Sequence, residues 1–204
     1  ITNFDFVIYS FIKLIYFINT FFKMFTNNFD PIAFHFFSLE IRWYSLAYIM
    51  GILLGWLYCK KQLIKEQYLL SIFDDFITYL IFGVILGGRL GYALFYNLTF
   101  YLENPLEIFM VWNGGMSFHG GLIGVVVAAL LYSKKYKMDK FIFLDLVSLS
   151  APIGIFFGRL ANFINSELYG IPTDVPWAVT FVKIDSFTRH PSQLYEAVLE
   201  GIIL

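Results

Sequence analysis

Val111-Trp112-Asn113-Gly114-Gly115-Met116-Ser117-Phe118-His119-Gly120-Gly121-Leu122-Ile123-Gly124-Val125 runs from a glycine-rich turn, through one histidine, into an apolar run that ends at Leu131. Polar chemistry thus stands at the mouth of a hydrophobic segment, and the rest of the chain decides what that segment is. Of 204 residues, 59% are hydrophobic and only 14% charged, with a mean hydropathy of +0.70; a soluble domain carries about 25% charged residues. Long apolar runs recur at the spacing of membrane spans. The expected fold class is therefore all-α, a polytopic transmembrane helical bundle, rather than a soluble protein with an apolar core. A net charge of −1 offers no basic field for nucleic acid. The single cysteine, Cys59, lies beside Lys60 and Lys61, so no disulfide can form within the chain. The sequence shows no Cys/His cluster, and neither a metal nor a cofactor is expected.

Spans are read near 42–59, 75–97, 117–133 and 141–163, with another beginning near 191. Residues 4–25 form a further apolar stretch, interrupted by Asp5, Lys13 and Lys23. They lack the small-residue cleavage site of a signal peptide. The reading is of an apolar N-terminal extension over 1–29 (an extra span, an interfacial helix or upstream sequence) ahead of a membrane-embedded domain over 30–204. The chain opens on Ile1 and stops inside the apolar run 198–204. It therefore reads as a fragment shortened at its C-terminus, or as one whose start is misassigned.

Basic residues set the expected orientation. Lys60, Lys61 and Lys65 follow the first core span, and Lys134, Lys135, Lys137 and Lys140 separate the third from the fourth. The 98–116 loop has no Lys or Arg and carries Glu103 and Glu107. The lysine-rich side is expected to be cytoplasmic, with 98–116, 164–190 and the approach to Trp43-Tyr44 facing outward. Trp43, Trp112 and Trp177 fall near that outer boundary, as an aromatic belt would place them.

Glycines recur four apart in all four core spans: Gly51/Gly55, Gly83/Gly87/Gly91, Gly120/Gly124 and Gly154/Gly158. That spacing puts them on one helix face, where backbones can approach closely, and predicts a tightly packed bundle.

Arg89 lies deep in the second span and Arg159 near the outer end of the fourth. An arginine at mid-membrane costs roughly 2.5–3.5 kcal/mol on insertion scales, so it is either paired or functional. If the helix ran on, Arg159, Asn162 and Ser166 would share a face, with Asn165 and Glu167 pointing elsewhere. Arg and Asn together suit a phosphodiester, through a bidentate guanidinium fork and further amide donors. His119 enters the third span after Gly114-Gly115 and can take a proton near neutral pH. A second histidine stands in Arg189-His190-Pro191-Ser192-Gln193-Leu194-Tyr195-Glu196, where Pro191 suits the first turn of a helix. Tyr44 opens the first core span. Four spans thus bring polar residues to one outer level.

These residues resemble a known family, the bacterial prolipoprotein diacylglyceryl transferases. The likeness covers roughly 30–204, in order. It runs through Arg42-Trp43-Tyr44-Ser45-Leu46, then Gly87-Gly88-Arg89-Leu90-Gly91-Tyr92 with Phe95-Tyr96-Asn97, then the opening motif. Gly158-Arg159-Leu160-Ala161-Asn162-Phe163-Ile164-Asn165-Ser166-Glu167-Leu168-Tyr169-Gly170 looks like the family signature, and the segment 189–196 completes the series. The resemblance implies an inner-membrane, multi-pass enzyme with its active site toward the periplasm. It would move a diacylglyceryl group from phosphatidylglycerol to the lipobox cysteine of a prolipoprotein signal peptide and release glycerol 1-phosphate. By resemblance, His119, Tyr44 and Arg159 are the expected catalytic residues, and Arg159, Asn162, Glu167, Gly170 and Arg89 the expected substrate-binding ones. Glu167 is cast as an orienting partner for an arginine. The base could be His119 or a neighbour.

The sequence departs from the family pattern in places. Asn113 stands where the family often has Asp, and Ser45 and Ser166 where it often has Gly. Family members continue into further spans that carry another essential-looking arginine. Two other readings compete: a small polytopic transporter, which predicts inverted repeats and polar residues at the midplane, and another phospholipid-processing transferase, which would need no cysteine-bearing acceptor.

Overall fold

A computed structural model describes residues 9, 12–14, 25–37 and 39–204; the apolar stretch read at 4–25 lies almost wholly outside them. The elements in chain order are β1 (Thr26–Asn27), β2 (Ile32–Phe36), β3 (Leu39–Arg42), α1 (Trp43–Tyr58), a π-helical turn Cys59–Leu63, α2 (Gln67–Phe95) and α3 (Leu98–Glu103). Two 3₁₀ turns, Pro105–Phe109 and Val111–Asn113, lead to α4 (Phe118–Tyr136) and α5 (Ile142–Asn165). β4 (Val179–Phe181), β5 (Thr188–Arg189), α6 (Ser192–Glu196) and a π-helical turn Ala197–Ile203 complete the chain. They form two compact units, one of Ile1–Gly55 with Ala151–Leu204 and one of Trp56–Ser150.

The protein is mainly helical, as expected, and each of the four expected core spans is a helix. Two of them, α2 and α5, are long and apolar enough to cross a membrane by length and composition. Only 17% of the apolar stretch of α2 and 11% of that of α5 is buried within the chain, whereas a soluble core helix would be mostly covered. Lipid is the solvent such faces suit. The second span begins at Gln67 rather than near 75. Asp74 lies within the helix, where its carboxylate takes Lys60 Nζ at 2.9 Å and Trp56 Nε1 at 2.7 Å. A neutralised carboxylate lets the helix extend by two turns. The short strands were not foreseen. β2 and β3 pair as an antiparallel hairpin, and β4 lies between β1, parallel to it, and β5, antiparallel.

In the unit Trp56–Ser150, the glycine stripes do what their spacing suggests. A Cβ on Gly83 would stand 2.6 Å from the Gly124 carbonyl oxygen, and one on Gly91 only 2.7 Å from Gly120 Cα. Backbone therefore meets backbone along α2 and α4, without side chains between them. Toward the lysine-rich end the helices separate around large rings: Phe73, Phe76, Tyr132 and Phe143 are buried together. Phe76 and Phe143 lie 4.6 Å apart, and the Tyr132 hydroxyl donates to the Ile72 carbonyl at 2.6 Å. α4 closes on Lys137 in the left-handed conformation (φ 55°), with Met138 N–H reaching Ser133 O at 3.0 Å. The basic residues Lys134 and Lys135 lie in its last turn, where the helix dipole favours them.

Arg89 organises the other end of this unit. It is 2% exposed, and a guanidinium has five N–H donors. Nε donates to Ile108 O at 2.9 Å, Nη1 to Gly114 O and to Gly115 O at 3.2 Å, and Nη2 to Glu107 O and to Met110 O at 2.9 Å. All five donors thus end on backbone carbonyls of the 104–116 segment. The Tyr101 ring, 5.2 Å away, covers the guanidinium further. Gly114 and Gly115 have φ of 79° and 81°, which glycine adopts freely. A Cβ on Gly115 would also run into the Tyr92 ring. Ser117 N–H then binds Gly88 O at 2.9 Å, and the Ser117 hydroxyl caps α4 by accepting from Gly120 N–H at 3.2 Å.

Three outcomes are expected. Gly87→Val should force α2 from α4 and lower stability by about 1–3 kcal/mol, read as a fall in the thermal midpoint of the detergent-solubilised protein. Gly121→Ala should be tolerated, since its Cβ would meet nothing closer than Val84 O at 3.8 Å. Arg89→Lys offers three donors to five carbonyls and should cost about 1–3 kcal/mol. Hydrogen-exchange mass spectrometry should show faster exchange across 104–116, and unchanged exchange there would remove the clamp.

Candidate functional site

The unit of Ile1–Gly55 with Ala151–Leu204 gathers most of the expected site residues. α5 ends at Asn165, so Ser166 leaves the face that Arg159 and Asn162 share. Ser166 turns left-handed (φ 59°), its N–H reaching Phe163 O at 3.2 Å while Glu167 N–H reaches Asn162 O at 2.9 Å. This pair of bonds is a Schellman closure with a serine where glycine is usual. The turn folds the Glu167 carboxylate back onto the helix. It accepts from Asn162 Nδ2 at 2.9 Å and from Asn165 Nδ2 at 3.3 Å. Glu167 is thus held by amides, and the expected partnership with an arginine is not what the geometry gives.

Three further residues fasten that turn. Asn27, buried in β1, donates to Phe163 O at 2.6 Å and accepts from the Ser166 hydroxyl at 3.3 Å. The Ser192 hydroxyl donates to Leu168 O at 2.7 Å, and the buried Gln193 amide donates to Glu167 O. Leu168 is itself left-handed, with φ 51°. Two non-glycine residues in this region cost roughly 1–2 kcal/mol each, and the surrounding hydrogen bonds hold them there. Gly170 N–H pairs with His190 O at 2.9 Å, and a Cβ on Gly170 would lie 2.7 Å from His190 Cβ. A side chain at this position would therefore collide with His190, a packing reason for glycine that stands beside the substrate contact expected.

Arg159 meets carboxylates. Nη2 lies 2.6 Å from Glu196 Oε2 and 3.9 Å from Glu200 Oε2. Nε and Nη1 carry no partner among the described residues. Tyr44, at the start of α1, is within electrostatic reach of both Glu167 and Arg159, and its ring centroid lies 5.1 Å from that of Tyr48. Nearby, Arg189 donates to Gly170 O at 3.2 Å, stacks on the Tyr169 ring at 4.9 Å and ion-pairs with Asp185. The hydrogen bond from Arg189 holds the Asp185 carboxyl below the usual carboxylate range. The bridge therefore persists at neutral pH and is lost only as pH falls through that lowered value. The Tyr195 hydroxyl accepts from Trp177 Nε1 at 2.6 Å and lies 3.0 Å from His190 Nδ1.

Arg89 and His119 belong to the other unit. His119 is the second residue of α4, exposed, with its ring edge-on to Phe118 at 5.6 Å. The Arg89 N–H groups all end on backbone carbonyls, so the expected substrate contact has no free donor behind it, and what the contacts show is a hold on the 104–116 segment that leads to His119. Asn27, Gln193 and Glu196 were missed as site residues. Asn27 lay in what read as an extension, and its only signal was a polar residue beside a run of Phe. Gln193 and Glu196 sat in the quoted 189–196 segment with nothing to rank them.

Comparison with known proteins places this geometry. The family model for prolipoprotein diacylglyceryl transferase matches residues 31–204. The phosphatidylglycerol–prolipoprotein diacylglyceryl transferase of Azospirillum brasilense is 56% identical over 179 residues, 86% of this chain and 67% of the relative. Its counterpart in Methylocella silvestris is 48% identical over 182 residues, 86% and 67% of the two chains. That of Rhodopseudomonas palustris is 52% identical over 184 residues, 85% and 64%. The chain spans about two-thirds of the length of the curated relatives it matches. Its matched length and these identities show that the chain belongs to the prolipoprotein diacylglyceryl transferase family.

Proposed function

We propose that this chain takes part in transferring the diacylglyceryl group of phosphatidylglycerol to the lipobox cysteine of a prolipoprotein, releasing glycerol 1-phosphate. The observation that carries the reading is the surroundings of Arg159. A half-buried guanidinium on an apolar helix ion-pairs with Glu196, has the phenol of Tyr44 within electrostatic reach, and is followed one turn on by Asn162, which donates to the Glu167 carboxylate. A phosphodiester head group entering from lipid would find a cation there, with amide and hydroxyl groups around it. Arg159 would neutralise the phosphate as it becomes a leaving group, and charge placed where charge develops is the main electrostatic lever on such a step.

The reaction is alkyl transfer. The thiol loses its proton and the thiolate attacks the terminal glyceryl carbon. A C–S bond forms as the C–O bond to phosphate breaks. His119, exposed at the entrance of α4, is the proposed proton acceptor. Asn162 and Glu167 orient the head group, and the turn at 166–168 fixes Glu167. The chain would be multi-pass in the bacterial inner membrane, lysine-rich loops inside and this chemistry toward the periplasm. The lipids of that leaflet and the signal peptide are its partners. Polar side chains at the ends of apolar helices favour this over a transporter, which would hold them at mid-membrane.

Protein in phosphatidylglycerol vesicles, mixed with a lipobox peptide, should add the mass of a diacylglyceryl group to the peptide cysteine, and a Cys→Ala peptide should gain none. Absence of the adduct with folded protein would sink the reading. In single-turnover assays Arg159→Lys should slow transfer by at least about tenfold, since a point charge replaces a planar fork. His119→Gln should slow it by about 10²–10⁴-fold if His119 is the base; normal chemistry would move that role elsewhere.

A further inference from the structure

Arg159 is not waiting free for a phosphate. Two carboxylates on the segment after Pro191 already neutralise it: Glu196 Oε2 at 2.6 Å and Glu200 Oε2 at 3.9 Å, four residues on. Both approach the same nitrogen, Nη2. A guanidinium presents two parallel donor pairs, Nε with Nη2 and Nη1 with Nη2, and bidentate binding of a phosphate uses one of them. Nη2 belongs to both. A partner that merely oriented the arginine would leave one pair clear, whereas these carboxylates converge on the shared atom. Their side chains are only partly covered by the described residues, Glu196 at 32% and Glu200 at 48% exposed, so neither carboxylate is walled in against Arg159. Arg89 differs in every respect, since its five partners are backbone carbonyls that cannot swing away.

We infer that Glu196 is a built-in competitor of the substrate phosphate. In the empty site it occupies Arg159; the lipid phosphate displaces it; after transfer it returns and helps expel glycerol 1-phosphate. The inference rests on the reading that Arg159 receives the phosphate. Glu196 is on this account a positioning residue, acting through Arg159, and Glu200 assists it from the next turn. The exchange also gives selectivity. A neutral lipid cannot displace a carboxylate from a guanidinium, so only a ligand that brings its own negative charge takes the place.

The test compares the parent chain with Glu196→Gln, using phosphatidylglycerol as substrate and glycerol 1-phosphate as inhibitor. The amide keeps the shape and still accepts a hydrogen bond, but no longer competes as an anion. Inhibition by glycerol 1-phosphate should tighten by about threefold or more, from the worth of a partly exposed ion pair. KM for phosphatidylglycerol should fall with it, and kcat should fall because product leaves more slowly. Glu200→Gln should shift all three in the same direction, less far, and stands in if Glu196→Gln does not fold. Unchanged or weaker inhibition in the folded variants overturns the inference and makes Glu196 an orienting or structural group. If the parent chain transfers lipid but Arg159→Gln leaves glycerol 1-phosphate inhibition intact, the phosphate reading of Arg159 fails, and the inference with it.

Discussion

Five N–H groups on one side chain, each ending on a backbone carbonyl, hold the 104–116 segment in place. Arg89 sits in an apolar helix where an unsatisfied guanidinium would be untenable. Its surroundings answer with the carbonyls of Glu107, Ile108, Met110, Gly114 and Gly115. Glu107 O and Met110 O also accept turn N–H groups, from Met110 and Asn113 at 3.1 Å each, while the carbonyls of Ile108, Gly114 and Gly115 find their partner in the guanidinium. Each side therefore satisfies the other. The glycine seam of α2 and α4 is the second half of the same constraint, because only bare backbones let the loop after Asn113 return close enough for Ser117 to bond Gly88. The entrance of α4, and with it His119, is built on this arrangement.

The second unit uses the same chemistry to a different end. At the close of α5 most polar groups again find partners, in Asn27, Ser192, Gln193 and the Asn162–Glu167 pair, while Asn165 Oδ1 and Gln193 Oε1 are buried with none among the described residues. Arg159 stands apart because its partners are side-chain carboxylates rather than backbone carbonyls. Depth in their spans separated the two arginines in the sequence, Arg89 deep in the second and Arg159 near the outer end of the fourth, but neither depth nor residue type announced which partners each would find.

Much of the fold was legible because it follows from periodicity and composition. The four core helices, the glycine faces and the special chemistry at Arg159 and Asn162 all leave local marks in the sequence. What escaped depends on contacts distant in the chain. The second span was read from near 75, and its two earlier turns rest on Asp74 being held by Lys60 and Trp56. Ser166 read as continuing a helix face, since a serine gives no sign of the left-handed conformation that glycine would have announced. Gly170 read as a ligand contact, and beside that stands a packing reason, His190 lying against it. The role of Arg89 lay in carbonyls, which every residue carries and no sequence displays.

The parallel pairing of β1 with β4 has a temporal meaning. Thr26 lies beside Thr180 and Asn27 beside Phe181, and Asn27 also grips Phe163 and Ser166. A chain made from its N-terminus must therefore hold a polar, buried-to-be asparagine in reserve while α1, α2, α4 and α5 are synthesised and inserted. Contacts so far apart in sequence close late, because chain entropy must be overcome first. The turn that carries Glu167 is thus among the last parts to take shape, after the helices that frame it.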